Sequence, residues 1–234
     1  MESRFFESWE KYGFDAGRGH ESMDVRAYYC PHCYATDRER LYALFLSERL
    51  PRGVAVKRFC LIDFAPAAAL RSHLKRRYAI SYRSADLCME GVDDHVDITR
   101  MDIYPDESFD AFICSHILEH VREDTKAMAE LYRILKAGGW GIAMVPLLLG
   151  NEETREDPSK TTEAERWRYF CQGDHVRLYA RKDFIARLES VGFRVVPLDV
   201  HHFGQENFRR HGISLTSVLY IAEKPERGIR TEQG

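Results

Sequence analysis

The chain of 234 residues lacks any apolar run long enough to cross a bilayer. Its longest, Ile142 to Leu149, is interrupted by Pro146 and falls far short of the roughly 20 residues a spanning helix needs. Net charge is scarce too. Lys plus Arg number 34 and Asp plus Glu 37, which leaves −3, so binding of nucleic acid through bulk positive charge is not expected. The six cysteines, at 30, 33, 60, 88, 114 and 171, are scattered, and Met1 to Phe14 holds no basic region followed by an apolar one. Reduced thiols and a cytoplasmic location are therefore expected. Repeats and low-complexity tracts are missing as well. With 44% hydrophobic and 30% charged residues, the composition excludes a disordered chain and supplies a sizeable core.

What is present alternates between strand-like and helix-like segments. Asp37 to Leu50 has helical spacing of Leu41, Leu44 and Phe45, stopped by Pro51-Arg52-Gly53. Arg58 to Asp63 reads as a buried strand, and Pro66 to Arg77 as a helix with proline near its first position. Ala79 to Ala85, His95 to Ile98, Phe109 to Ser115 and Trp140 to Pro146 read as four further strands. Between the last two, Ala127, Leu131, Ile134 and Leu135 form one helical face, and Gly138-Gly139 is placed as its left-handed C-cap. Residues 150–183 break the rhythm and read as an insertion above the strand ends. A helix from Lys182 and two closing strands, Phe193 to Leu198 and Leu215 to Glu223, complete the pattern.

This alternation predicts a doubly wound, mostly parallel α/β sheet with an antiparallel edge. The expected division is an N-terminal cover over 1–56, a main domain over 57–224 and a flexible tail over 225–234. Ligands of such sheets bind outside the carboxyl ends of the strands. There stand Asp63, Asp86, Asp97 and then Ser115-His116. An acid ending the second strand suits two ribose hydroxyls, and one after the third suits an exocyclic amine. The ordered set describes a nucleoside-shaped site.

The stretch from Asp97 through Pro105-Asp-Glu-Ser-Phe-Asp110 to Ser115-His-Ile-Leu-Glu-His120, followed by Ala129-Glu-Leu-Tyr-Arg-Ile-Leu-Lys-Ala-Gly-Gly139, resembles the class I S-adenosylmethionine-dependent methyltransferases. It is most similar to their type 11 subgroup, specifically over residues 57–146. The resemblance implies a seven-stranded Rossmann-like sheet, S-adenosyl-L-methionine as cofactor and S-adenosyl-L-homocysteine as product. It places Asp63 and Ala65 beside the methionine moiety, Asp86 and Leu87 at the ribose, Asp97 and the Ile98 N–H at the adenine, and Ser115 at the methionine end. His116 would stand nearest the transferable methyl. Methyl transfer asks mainly for alignment, and a hydroxyl acceptor adds the need for a base. His116 is the first candidate base and His175 the second, with Arg177 and Tyr179 as substrate contacts. A small polar acceptor, such as a sugar or a carboxylate-bearing metabolite methylated at oxygen, is the expected partner.

The family's acid-x-Gly-x-Gly-x-Gly loop is replaced here by Asp63-Phe-Ala-Pro-Ala-Ala-Ala69. Alanine resists positive φ and Pro66 lacks an N–H. That loop raises the alternative of a methyltransferase-like binding protein without turnover. RNA methylation is a third reading, resting on Arg71 to Arg77 and Arg209-Arg210. Cys30-Pro-His-Cys33 supplies two of the four ligands of a structural zinc site; no metal is assigned. Arg38 or Arg40 could meet the cofactor carboxylate, with a solvated helix face as the competing reading.

Overall fold

Apolar runs bounded by turn residues become strands wherever both faces can be covered. In the computed structural model, which describes residues 2–15, 17, 19–24, 26–50 and 59–226, this happens in the order expected. The elements are α1 (Glu2–Tyr12), α2 (Asp37–Arg49), β1 (Phe59–Phe64), α3 (Ala68–Arg77), β2 (Ile80–Asp86), β3 (Asp94–His95) and β4 (Phe109–Ser115). They continue with α4 (Asp124–Ile134), β5 (Leu135–Met144), β6 (Arg155–Glu156), α5 (Glu163–Phe170), β7 (Arg177–Leu178) and α6 (Arg181–Ser190). Last come β8 (Arg194–Leu198), α7 (Val200–Phe203), α8 (Gln205–His211) and β9 (Leu219–Glu223). The stop at Pro51-Arg52-Gly53, the start of the first strand at Arg58 and most of the tail lie outside the described residues.

Seven strands form one sheet in the order β3-β2-β1-β4-β5-β9-β8. β1 pairs in parallel with both β2 and β4, β4 with β5, and β2 with β3. β9 runs antiparallel to β5 and to the edge strand β8. The sheet is thus mainly parallel with antiparallel pairing at one edge. Among the described residues no helix is long and apolar enough to cross a membrane. Leu41, Tyr42, Phe45 and Leu46 of α2 join the same buried cluster as Phe112, Ile113 and Ile142, which presses the N-terminal segment against the sheet.

Several local expectations are corrected. α4 ends at Ile134, and Leu135 is already extended at φ −80°, ψ 134°. Gly138-Gly139 therefore caps no helix; Gly138, at φ +75°, lies inside β5. The register between β4 and β5 shifts at Phe109/Ala111, the irregularity of a bulge. Lys136, bonded at 2.7 Å to Asp110 of the neighbouring strand, holds this segment in the sheet. Pro66 precedes the N-cap Ala67 of α3 and is not its first helical residue. The third strand shrinks to two residues, and no helix crosses between β2 and β3, as the short Asp86–Asp97 link requires. The closing strands pair, but α7 and α8 separate them.

Candidate active site

The carboxyl ends of β1 and β4 meet α2 around a cavity of about 210 Å³. Its walls include Arg38, Glu39 and Tyr42 of α2, Asp63 and Ala65 at the end of β1, and Ser115 and His116 at the end of β4. The N-terminus of α3, from Ala67 to Leu70, closes one side and aims its positive dipole inward. Five of the residues singled out from the sequence, Arg38, Asp63, Ala65, Ser115 and His116, therefore share one cavity.

The alanine loop keeps the shape that glycine would supply. Ala65 sits at φ +48°, in the left-handed region, at a cost of about 1–2 kcal/mol for a residue with a Cβ. Its N–H donates to the Ala85 carbonyl at 2.9 Å, tying the turn to β2. Ala65 thus adopts, despite its Cβ, a backbone conformation that glycine enters freely.

His116 is also left-handed, at φ +57°, which turns the chain sharply at the end of β4 and carries the imidazole to the cavity wall. Arg38 donates to His116 Nε2 at 2.6 Å. The same Arg38 nitrogen lies 3.2 Å from Nδ1, which is 3.3 Å from Glu119 Oε1. Burial, then Arg38, holds the imidazole well below its ordinary pKa, while burial pushes Glu119 up to about 8. Among the described residues no carboxylate pairs directly with the Arg38 guanidinium, which also donates to the Tyr28 hydroxyl at 3.4 Å. Arg38 is thus half-buried and turned to the cavity, which corrects the solvated-face reading. Arg40 is different. It donates to the carbonyls of Ala27, Tyr28, Ala35, His211 and Gly212, and so staples the N-terminal segment to α8.

Asp86 and Asp97 lie beyond this cavity, along the strand ends. Asp86 Oδ1 accepts the N–H groups of Cys88 and Met89 at 2.8 and 2.7 Å. Asp97 Oδ1 accepts the Thr99 N–H and hydroxyl, both at 2.8 Å. Each turn fixes one carboxylate oxygen and leaves the other open among the described residues. Leu87, next to Asp86, is 67% exposed, an apolar surface suited to one face of a planar ring. Ile98 is buried under it all in the main core.

The insertion contributes packing where the sequence suggested ligand contact. Arg177 is 1% exposed. It donates to Glu156 at 2.5 and 3.0 Å, to the Leu118 and Arg122 carbonyls at 2.8 Å each, and to the Val121 carbonyl. The Tyr179 hydroxyl donates to Asp124 at 2.6 Å. Neither residue lines the cavity, and both are committed to holding the segment after β4. His175 is buried, its Nδ1 bonded to the Phe170 carbonyl at 2.9 Å; it too is outside the lining. The residues that sequence reasoning passed over are Glu39 and Tyr42, whose hydroxyl meets Ser115 Oγ at 2.7 Å. They occupy ordinary helical positions, and only the packing of α2 over the strand ends brings them here. Among the described residues, no third acid, histidine or cysteine joins Cys30 and Cys33.

Comparison with known proteins agrees with this geometry. A family described as a methyltransferase domain matches residues 34–198. No curated protein sequence matches. Among solved structures, the [4+2]-cyclase SpnF superposes with a TM-score of 0.54 at 14% identity, covering 96% of this chain and 95% of that one. A SAM-dependent methyltransferase from Archaeoglobus fulgidus gives 0.50 at 14% identity, over 81% and 95%. The Haemonchus contortus phosphoethanolamine N-methyltransferase 2, in complex with S-adenosyl-L-methionine, gives 0.50 at 12% identity, over 81% and 53%. The chain belongs to the methyltransferase-domain family. It is an S-adenosylmethionine-dependent methyltransferase of the class I fold.

The residues present fit that cofactor. The N-terminus of α3, where Glu39 takes the Leu70 N–H at 3.3 Å, and an Arg38 without a carboxylate partner border a space that a further carboxylate fits. Asp63 faces the same space. Burial pushes it up to about 7, although the Tyr82 hydroxyl, 2.7 Å away, opposes this. Because that value lies above the ordinary 3.8, the folded protein binds more protons than the unfolded chain between the two. The stability Asp63 confers is full below pH 4 and is lost as pH rises through about 7. The loss is up to about 4 kcal/mol. Denaturant titrations of the cofactor-free protein at pH 5 and pH 8 should show the decline, and Asp63→Asn should flatten most of it. An unchanged slope in that variant would assign the decline to other groups.

Proposed function

We propose that this enzyme methylates a small polar molecule at oxygen, a sugar or a carboxylate-bearing metabolite, with His116 as the base. The reading is carried by the placement of the His116 imidazole on the wall of a small cavity roofed by α2. A roofed space of that size favours a small acceptor over the exposed surface of a macromolecule.

When bound, S-adenosylmethionine supplies an electrophilic methyl group on a sulfonium centre. Asp86 and Asp97 would hold its ribose hydroxyls and adenine amine through their open oxygens, with Leu87 and the Ile98 N–H against the ring. Arg38 would hold its carboxylate. Arg38 now donates to His116 Nε2, so engaging a carboxylate frees that nitrogen to take the proton from an acceptor hydroxyl. Glu119 stands 3.3 Å from the other ring nitrogen, Nδ1, without accepting a hydrogen bond from it. Ser115 and Tyr42, bonded to each other, border the same space.

Arg38→Met tests this assignment. Losing a charge-assisted bond should weaken cofactor binding about 10–100-fold, following the 1.5–3 kcal/mol of such bonds. Titration calorimetry with S-adenosylmethionine reads it directly. Unchanged affinity would move Arg38 away from the cofactor. The acceptor class is tested with methyl-labelled cofactor against sugars and hydroxy-carboxylates; transfer only to amines or to RNA would overturn it.

A further inference from the structure

Beside the cavity, Glu119, His120 and His175 bring one donor atom each within 4.8 Å of the others. We infer that these three residues bind a divalent transition-metal ion, with Zn²⁺ the best match to two imidazoles and a carboxylate. The site differs from the Cys30–Cys33 pair and stands independently of the acceptor assignment.

The first support is Glu119 itself. Its side chain is 1% exposed, and neither carboxylate oxygen accepts a hydrogen bond. His116 Nδ1 stands 3.3 Å away, within ion-pair reach and out of hydrogen-bond alignment. A buried carboxylate left in this condition costs several kcal/mol unless a cation or donor meets it. The Arg177 guanidinium passes nearby but is spent on Glu156 and on carbonyls, including that of Leu118.

The second support is how the imidazoles are held. His175 Nδ1 is bonded to the Phe170 carbonyl, which leaves Nε2 to face the cluster. His120 Nδ1 lies 3.4 Å from Asp174 Oδ2, and its Nε2 lies 3.9 Å from Glu119 Oε1. Each histidine thus has its outer nitrogen on an oxygen acceptor and its inner nitrogen toward the carboxylate. That is the arrangement in which an outer carbonyl or carboxylate orients a metal-bound imidazole. Bonds of about 2.1 Å put tetrahedral ligands about 3.4 Å apart, so small side-chain rotations close the site. The Val176 N–H, donating to the Glu119 carbonyl at 2.9 Å, locks the insertion against the turn after β4. Three protein ligands leave at least one coordination position open.

The test uses full-length protein carrying no polyhistidine tag, equilibrated with Zn²⁺ and then passed through metal-free buffer. About one equivalent per chain should remain, and Co²⁺ should give the visible absorption of a four- or five-coordinate site without a thiolate charge-transfer band. The double variant Cys30→Ser/Cys33→Ser should retain the ion. His175→Ala and the near-isosteric Glu119→Gln should each lower retention at least tenfold. Less than about a tenth of an equivalent in the wild type, or an ion lost with the cysteines, would overturn the proposal. A thiolate band in the Co²⁺ spectrum would do the same, whether or not the ligand variants fold.

Discussion

Arg177→Leu should lower the unfolding free energy by about 3–5 kcal/mol, the largest stability effect expected from one substitution outside the apolar core. Leucine fills part of the space and none of the bonding. Glu156 keeps a partner in Arg187, whose two nitrogens lie 2.7 Å from Glu156 and 2.5 Å from Asp124. The carbonyls of Val121 and Arg122 lose the guanidinium, and that of Leu118 keeps only the longer bonds from the Val121 N–H at 3.3 Å and the Tyr179 hydroxyl at 3.4 Å; a buried carbonyl stranded without a donor costs about 1–3 kcal/mol. Chemical denaturation reads the change, and total stabilities of about 5–15 kcal/mol make it a large fraction. Arg177→Lys should recover a minor part, since one ammonium cannot reach three carbonyls and a carboxylate. A loss below about 1 kcal/mol would mean that water replaces the guanidinium and that the segment after β4 is held by other contacts.

His116→Asn should lower kcat about 10²–10⁴-fold, the usual range for removing a general base, while cofactor affinity stays the same or improves. Asparagine is the informative replacement because it tolerates the left-handed backbone at φ +57° better than alanine. The turn at the end of β4 then survives, and only the base is lost. Affinity should not fall, because Arg38 is released from Nε2 and reaches a carboxylate more easily. Single-turnover kinetics with a labelled methyl group, alongside a binding titration, separate the two effects. Equal turnover in wild type and variant would remove His116 as the base; a parallel collapse of cofactor binding would make it a positioning residue.

Much of the scaffold is legible in the sequence. The runs Phe109–Ser115 and Asp37–Arg49 were placed to within a residue, because each is bounded by residues that end its own element. The error at Gly138-Gly139 has a clear cause. A glycine pair after a helical face reads as a C-cap locally, and it is pairing with the neighbouring strands, Leu135 beside Phe109 and Gly138-Gly139 bonded to Lys224, that extends β5 back to Leu135. Similarly, propensity disfavours a left-handed alanine at 65; contact with β2 overrides a preference of about 1–2 kcal/mol.

Sequence alone determined the alternation of strands and helices from α2 to β5, the parallel sheet and the acids following its strands. All of these follow from short-range periodicity and from the rule that parallel strands present their carboxyl ends together. Tertiary structure decided which polar side chains face a ligand. Arg38 and Arg40 are two residues apart on one helix, yet one meets the cavity and the other is stapled to α8. Arg177 and His175 are two apart in the insertion, and one is a buried brace while the other closes on Glu119. Such roles depend on what a side chain meets from segments dozens of residues away. Burial then sets the cost of leaving a charge unmet, and it is the partner supplied by the fold that decides whether that cost is relieved.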